Sequence, residues 1–237
     1  MYHFEQRVRY SEVDEQRLLP LSGIIDYFQD CSTFQSEDLG VGLDYLTARG
    51  MFWVINSWQL EILRRPALGE VVSVWTRPYE LKGFLGFRNF FLKDEAGEYL
   101  AKANSIWSLI RTDSFRPVQI PEEVMGAYEL GEKLPMEYAP RKIRPEGETA
   151  QAEPLTVSRW HLDVNHHVNN GRYIQICQSL LPAGFEAKKL RAEYRAQAFL
   201  GDVLHPVIYT ESTDPEKYAV ALNDAEGNAY VVLEVER

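Results

Sequence analysis

"RYSEVDEQRLLPLSGIIDYF", residues 9–28, has a second version in the same chain, "SRWHLDVNHHVNNGRYIQIC", at residues 158–177. The two superpose with Asp14 over Asp163, an offset of 149 positions (163 minus 14). Each passes from an alternating, strand-like segment through a polar loop that contains the aspartate into an apolar run typical of a helix. The repetition predicts two similar structural units in one chain.

A second pair of matching segments lies downstream of each loop. "EILRRPALGEVVSV" at residues 61–74 superposes on "EYRAQAFLGDVLHP" at residues 193–206, with Gly69 over Gly201 and an offset of 132 (201 minus 69). The runs that follow are rich in β-branched and aromatic residues and are separated by turn residues, so they are predicted to be strands. These runs are "EVVSVWTRPYEL", "GFLGFRNFFLKD" and "YLAKANSIWSLIRT" in the first copy, and "DVLHPVIYTES", "KYAVALND" and "AYVVLEVE" in the second.

Each copy therefore predicts a strand, a long helix and about four antiparallel strands. A single long helix buries its apolar face against the sheet that follows it. We expect an α+β fold with two long helices, each wrapped by an antiparallel sheet, and sheets that join at their edges. Residues 128–153 have the Pro-, Glu- and Lys-rich composition of a linker. The predicted domains are 1–127 and 154–237, with the linker 128–153 between them.

The charge and hydropathy of the chain exclude several classes of protein. The formal net charge is −10, with 35 acidic against 25 basic residues, which disfavours nucleic acid binding. Every apolar run is shorter than the roughly 20 residues that a membrane span requires, and the first residues lack the features of a signal peptide. A cytoplasmic protein with no membrane span is predicted. Cys31 and Cys177 lie in helix-like apolar runs and are expected to be reduced core residues.

The loop "DVNHHVNN", residues 163–170, is the candidate functional site. In a structural interpretation, Asn169 or Asn170 caps the helix and Asp163 braces the loop. The first copy, however, carries Gln16 over Asn165 and Leu18 over His167. Structural necessity therefore does not explain these polar residues, and we interpret them as functional. A carbonyl docked at the helix N-terminus would be polarised there, and a water held by Asp, Asn and His could attack it.

Other interpretations of these residues are weaker. A metal site would recruit His161, His166 and His167, but adjacent histidines in a loop rarely converge on one ion, and no carboxylate-histidine pair at helical spacing completes the site. The chain has no Gly-x-Ser-x-Gly sequence. His166 is expected to face solvent, and the three remaining histidines, which have no polar cluster around them, are predicted to be ordinary surface or strand residues: His3, His161 and His205.

"LDVNHHVNN..Y" followed by "EYRAQAFLGD", and "YSEVDEQRLLPLSGIIDYFQDC" followed by "W.L.I.R.P.LGE", resemble the acyl-acyl carrier protein thioesterases. The resemblance covers nearly the whole chain. It implies a tandem hot-dog fold and hydrolysis of the thioester that links a fatty acyl chain to the phosphopantetheine of acyl carrier protein. It also implies that Asp163, Asn165 and His167 carry the chemistry. No cofactor is implied, because a thioester is already activated towards hydrolysis.

The chain departs from the family just after the "EYR" strand. The family commonly places an acid there, with a Cys following in the plant enzymes, and this chain has Gln197 and Ala198. Gln197 can orient a water through its amide but cannot take a proton. The predicted catalytic residues are therefore Asp163, Asn165, His167 and Gln197, with Asp163 or His167 as the base.

The remaining expectations concern the mechanism and the partner. The acyl chain is expected in an apolar channel of the N-terminal half, and the backbone N–H groups near Val168 to Gly171 are expected to hold the oxyanion. The alternatives are an acyl-CoA thioesterase and a non-catalytic acyl-binding protein. Chain-length preference and oligomeric state, a homodimer included, stay open. An acidic carrier protein predicts a basic patch, with these candidates: Arg64, Arg65, Arg141, Lys142, Arg144, Lys188, Lys189 and Arg191.

Overall fold

Two compact units make up the chain in the computed structural model, which describes residues 1–211 and 214–237. The first unit consists of residues 1–56 and 62–138, and the second of residues 57–61 and 139–237. No helix in the described ranges has both the length and the hydropathy of a membrane span.

The first unit has the predicted order of strand, helix and four strands. The elements are β1 (Tyr2–Arg7), α1 (Leu21–Asp38), α2 (Leu43–Thr47), β2 (Met51–Ile62), β3 (Val71–Lys82), β4 (Leu85–Asp94), β5 (Tyr99–Arg111) and α3 (Glu122–Ala127). The strands lie in the order β1-β3-β4-β5-β2, and the pairs β1·β3, β3·β4 and β4·β5 are antiparallel.

Helix α1 forms because its apolar residues recur at helical spacing and face β1 and β3. Ile24, Phe28 and Cys31 are fully buried, and the Phe28 ring stacks on Phe90 of β4 with 5.3 Å between centroids. Burying each large apolar side chain contributes about 1.5–3 kcal/mol relative to exposure. Burial also raises the pKa of the Cys31 thiol to about 12. The prediction that Cys31 is a reduced core residue is confirmed.

The second unit repeats the same order with shorter elements. Strands β8-β11-β10-β9-β6 are neighbours, β7 pairs with β9, and the Ser57–Glu61 segment of β2 pairs antiparallel with β8. The predicted strand run beginning at residue 202 reached Ser212, which lies outside the described residues. The elements are β6 (Glu148–Gln151), β7 (Leu155–Thr156), α4 (Asn170–Ser179), β8 (Lys189–Tyr194), β9 (Val203–Glu211), β10 (Asp214–Asn223) and β11 (Ala229–Glu236).

Helix α4 is the element that departs most from the prediction of two long helices. It has 10 residues, whereas α1 has 18. Pro182 and Gly184 follow its end and do not favour continuation of the helix. Its buried residues Tyr173, Ile174 and Cys177 pack towards β10 and β11. The 10 residues make two to three turns, which is enough to bury this apolar face.

The segment 128–153 packs closely on the units at both of its ends. In the first unit, the Leu134 N–H donates to the Asn89 Oδ1 at 2.9 Å, and Leu134 is buried. In the second unit, the Ile143 N–H donates to the Glu193 carboxylate at 2.9 Å, and Ile143 is buried. These contacts anchor the polar stretch through its few apolar residues.

Candidate active site

The loop between Leu162 and Val168 precedes α4 and closes on itself. These two residues form an isolated antiparallel bridge. The Asp163 N–H donates to the His167 carbonyl at 2.8 Å, and the His166 N–H donates to the Asp163 carbonyl at 3.1 Å. His166 has a φ of +63°, the left-handed conformation that turns the chain back. Side chains 164 to 166 are consequently exposed at the tip of the loop.

The Asp163 carboxylate braces this loop from inside. Its Oδ1 accepts from the Asn165 N–H at 2.8 Å and from the His167 N–H at 3.3 Å. Such bonds from an aspartate to amides two and four residues later stabilise a turn. The geometry therefore gives Asp163 the structural role that the sequence suggested, beside any chemical one.

Three of the four backbone N–H groups of residues 168 to 171 are already engaged. Asn169 caps the helix, as one of the two predicted candidates, with its Oδ1 accepting from the Gly171 N–H at 2.8 Å. The Val168 N–H donates to the Ala198 carbonyl at 3.0 Å, and the Asn169 N–H donates to the His161 carbonyl at 2.9 Å. The expectation that these N–H groups hold an oxyanion is therefore wrong for residues 168, 169 and 171.

The equivalent loop of the first unit has the same backbone and the same brace. Asp14 Oδ1 accepts from the N–H groups of Gln16 and Leu18, both at 3.0 Å, and the Asp14 N–H donates to the Leu18 carbonyl at 3.0 Å. Arg17, at the position of His166, has the same φ of +63°. The fold thus explains an aspartate in both loops. It does not explain why only the second loop carries Asn and His.

The neighbouring loops are equivalent as well, except for one side chain. The Leu19 N–H donates to the Pro66 carbonyl at 2.8 Å, in the place of the bond between residues 168 and 198 in the second unit. In the first unit, the Arg65 guanidinium pairs with Asp14 Oδ2 at 2.5 Å. The offset of 132 puts Gln197 at the position of Arg65. The first loop is therefore closed by an ion pair, and the second has an amide at that position.

His167 lies half-buried with its ring against Phe199, in an edge contact of 4.9 Å between centroids. Burial lowers the pKa of His167 below its usual value, the Asp163 carboxylate opposes this by raising it, and His166 lowers it further. The imidazole is consequently neutral at pH 7, and a neutral imidazole can accept a proton. Asn165 lies two residues earlier with an exposed side chain.

The comparison with known proteins covers both units. Residues 1–128 match the family model described as the acyl-ACP thioesterase N-terminal domain, and residues 145–233 match that of the acyl-ACP thioesterase C-terminal domain. The chain belongs to the acyl-ACP thioesterase family. The resemblance noted in the sequence is therefore confirmed.

Plant members of the acyl-ACP thioesterase family are among the similar proteins. A chloroplastic acyl-acyl carrier protein hydrolase of Cuphea viscosissima is 28% identical over 229 residues, which cover 89% of this chain and 54% of the relative. A chloroplastic palmitoyl-acyl carrier protein thioesterase of Gossypium hirsutum is 25% identical over 247 residues, covering 97% and 59%. The chain thus spans little more than half the length of these curated relatives.

Two bacterial crystal structures share the fold. One, described as an oleoyl thioesterase from Lactobacillus plantarum, has a TM-score of 0.87 at 23% identity and covers 99% of this chain and 94% of its own. The other, an acyl-ACP thioesterase from Bacteroides thetaiotaomicron, has a TM-score of 0.87 at 21% identity and covers 99% and 96%. The likeness confirms the predicted α+β tandem hot-dog fold.

Against the acyl-ACP thioesterase pattern, Gln197 and Ala198 are the departures of this chain. Ala198 is fully buried, and its N–H donates to the Tyr173 hydroxyl at 2.9 Å. Gln197 is half-buried beside it. Cys177, about two turns into α4, is fully buried, and burial raises the pKa of its thiol above the ordinary value. A thiol so placed is a core side chain, as predicted, and not a nucleophile.

His161 was predicted to be an ordinary surface or strand residue, and that prediction is wrong. It is buried, and its Nδ1 accepts from the Ser158 N–H at 2.9 Å. This bond closes a capping box around a 3-10 turn. The signal was present in the repeat, because Glu12 at the same position of the first unit accepts from the Arg9 N–H at 2.8 Å.

Four of the eight residues of the predicted basic patch are paired with acids. Arg64 pairs with Glu70 at 2.6 Å and Arg65 pairs with Asp14. Lys189 and Arg191 pair with carboxylates of β11 at 2.9 Å and 2.7 Å. These four residues do not form a free basic surface.

Among the described residues, no cluster of His, Cys, Asp and Glu has the arrangement of a metal site.

Proposed function

We propose that this chain hydrolyses the thioester between a fatty acyl group and the phosphopantetheine of acyl carrier protein. Family membership supports the reaction class. The observation that carries the site is the difference between two loops of one backbone: Asn165 and His167 occupy positions where the first unit has Gln16 and Leu18. A pair of polar residues that the fold does not require is explained by chemistry.

Asn165 holds the thioester carbonyl in this proposal. Its exposed amide can donate to the oxygen on which negative charge develops. The N–H groups of Val168, Asn169 and Gly171 already donate to other acceptors. A side chain is therefore the better donor to the thioester oxygen. Asp163 keeps Asn165 and His167 at a fixed separation through its two bonds to the loop.

His167 is the general base. Its neutral imidazole takes a proton from a water as the water oxygen forms a bond to the acyl carbon, and Gln197 orients that water. Collapse of the tetrahedral intermediate breaks the carbon–sulfur bond, and the proton passes from the imidazolium to the leaving thiolate. The products are the free fatty acid and the pantetheine thiol. The protein supplies all of these groups from its own side chains.

The N-terminal domain, residues 1–127, provides the acyl channel in this proposal, and the C-terminal domain, residues 154–237, provides the chemistry. The first unit supports this division with a buried apolar cluster of helical, strand and loop residues. The cluster contains Val41, Leu46, Met51, Leu109, Ile120, Val124 and Tyr128. The cytoplasmic location remains part of the proposal.

The test is release of free fatty acid from a panel of acyl carrier proteins that carry chains of different length. Asn165→Ala and His167→Ala are each expected to lower kcat/KM by about a hundredfold or more, the range for a lost oxyanion donor or general base. Gln16→Ala is the matched control, because it makes the same deletion in the equivalent loop, and it keeps the rate of the unsubstituted chain.

Folded Asn165→Ala and His167→Ala proteins that retain full turnover would remove the assignment of the site. The same panel, repeated with acyl-CoA, separates the alternatives. Faster turnover of acyl-CoA than of acyl carrier protein would make the chain an acyl-CoA thioesterase. Bound acyl groups that are never released as fatty acid would make it a non-catalytic acyl-binding protein.

A further inference from the structure

Several large apolar side chains are exposed around the candidate active-site loop of the second unit. Trp160 is 60% exposed, Val164 76%, Phe199 45% and Leu200 53%. A tryptophan normally buries most of its surface, so exposure of this one calls for an explanation. Clusters of exposed apolar residues on this scale mark interaction sites more often than isolated ones do.

These side chains belong to two loops that are joined at the candidate site. Val164 lies between Asp163 and Asn165 at the tip of one loop. Phe199 and Leu200 lie on the other loop, and the Phe199 ring contacts His167. The apolar cluster therefore borders the residues to which we assign the chemistry.

The first unit shows that the fold does not require these apolar residues. The offsets of 149 and 132 put Ser11 at the position of Trp160, Glu15 at that of Val164 and Ala67 at that of Phe199. The backbone of both loops is otherwise the same, as the repeated hydrogen bonds show. Leu200 is the exception, because the first unit has the exposed Leu68 at that position; three of the four large apolar residues are therefore specific to the second unit.

Two arginines beside this cluster lack acidic partners. Arg159 is exposed, and Arg172 lies over the Trp160 ring with 5.3 Å from its guanidinium carbon to the centroid. The Arg172 guanidinium donates to the neutral Gln175 amide oxygen at 2.8 Å. Among the side chains that the structure describes, neither arginine forms an ion pair, although acidic residues outnumber basic ones in the chain. Unpaired cations next to exposed apolar side chains are complementary to a partner with the opposite charge.

We propose that this surface, the docking face, binds the acyl carrier protein that delivers the thioester. The docking face comprises Arg159, Trp160, Val164, Arg172, Phe199 and Leu200. The partner is one that presents carboxylates around an apolar strip: the carboxylates pair with Arg159 and Arg172, and the strip covers Trp160 and Leu200. The inference rests on the proposed function, because docking here places a carrier-bound thioester beside His167.

The experiment measures the affinity of the chain for phosphopantetheinylated acyl carrier protein without an acyl group, so that no turnover occurs. Arg159→Glu/Arg172→Glu is expected to weaken binding about tenfold and to flatten the dependence of Kd on salt, because two attractive charges are reversed. Trp160→Ala is expected to weaken binding about tenfold, as a central aromatic anchor does. Arg237→Glu is the matched control: it reverses an exposed charge of the same unit outside both the docking face and the predicted basic patch, and it leaves Kd unchanged.

Circular dichroism establishes that each variant is folded. A folded Arg159→Glu/Arg172→Glu protein that binds the carrier as tightly as Arg237→Glu would overturn the docking face, and so would failure of the unsubstituted chain to bind the carrier. Fatty acid release by the unsubstituted chain from acyl-pantetheine, which has no protein carrier, tests the proposed function separately. Fatty acid release together with unchanged carrier affinity in the docking-face variants would contradict only the docking face. Carrier binding without fatty acid release would contradict only the proposed hydrolysis.

Discussion

In the proposed mechanism, the protonation state of His167 determines whether the site can accept a proton from water. Burial favours its neutral form and lowers its pKa, while the Asp163 carboxylate favours the imidazolium and raises it. A base must be unprotonated, so kcat/KM is expected to rise with pH through a value below that of an ordinary histidine and then to level off. The pH profile of fatty acid release measures this inflection.

Two substitutions move the inflection in opposite directions. Asp163→Asn removes the carboxylate that raises the pKa of His167, so the inflection shifts to lower pH, and the Asn oxygen can still accept the loop amides. His166→Gln removes a neighbour that lowers the pKa, so the inflection shifts to higher pH. An inflection that stays in place in both variants would mean that His167 is not the base.

The sequence indicates which residues are unusual more reliably than it indicates their surroundings. Asn165 and His167 were found by comparing two copies, because a difference between equivalent loops is visible without coordinates. The engagement of the Val168 and Asn169 N–H groups was not visible, because their acceptors, Ala198 and His161, come from contacts that only the folded chain brings together. The wrong prediction for His161 has another cause, because its partner Ser158 is only three residues away and the repeat places His161 over Glu12.

At the scale of the element, the two loops braced by Asp14 and Asp163 differ in the number of interactions that each aspartate makes. Asp14 accepts two loop N–H groups and pairs with Arg65, whereas Asp163 accepts two loop N–H groups and forms no ion pair with the side chains that the structure describes. Asp14→Ala is therefore expected to lower the free energy of unfolding by about 1 kcal/mol more than Asp163→Ala, since it also leaves Arg65 without its partner. Only Asp163→Ala should reduce fatty acid release.

Chemical denaturation of both variants measures the difference in unfolding free energy, and the fatty acid assay measures turnover. Equal losses of stability would show that the Arg65–Asp14 pair adds nothing to the fold. A loss of turnover in Asp14→Ala comparable to that in Asp163→Ala would contradict the assignment of the chemistry to the second loop alone.

The elements themselves follow from local pattern to different extents. The strands were predicted well, because β-branched and aromatic runs between turn residues carry their own signal, and Gly69 and Gly201 mark the same turn with φ of +83° and +92°. Helix α4 was predicted too long, because its length depends on how much sheet it covers. The repeat locates a helix, but packing determines where it ends.

At the scale of the whole chain, the two copies share one set of backbone hydrogen bonds and differ in the side chains around it. Equivalent hydrogen bonds persist in both units, such as Val8 N–H to the Glu70 carbonyl and Val157 N–H to the Asp202 carbonyl, at 2.9 and 2.8 Å. Arg65 and Gln197 differ within this shared framework. The exchange of a cation for an amide removes from the second loop the guanidinium that pairs with the loop aspartate in the first.

Gln197→Arg tests this interpretation by giving the second loop the residue of the first. The new guanidinium is expected to pair with Asp163, as Arg65 does with Asp14, and to take the place of the attacking water. The prediction is a fall in kcat/KM of about a hundredfold, the scale of a lost general-base step, with a melting temperature equal to or above that of the unsubstituted chain. The mirror variant Arg65→Gln should lose a little stability and no turnover. A folded Gln197→Arg protein with full activity would show that an ion pair at this position does not prevent the proposed hydrolysis.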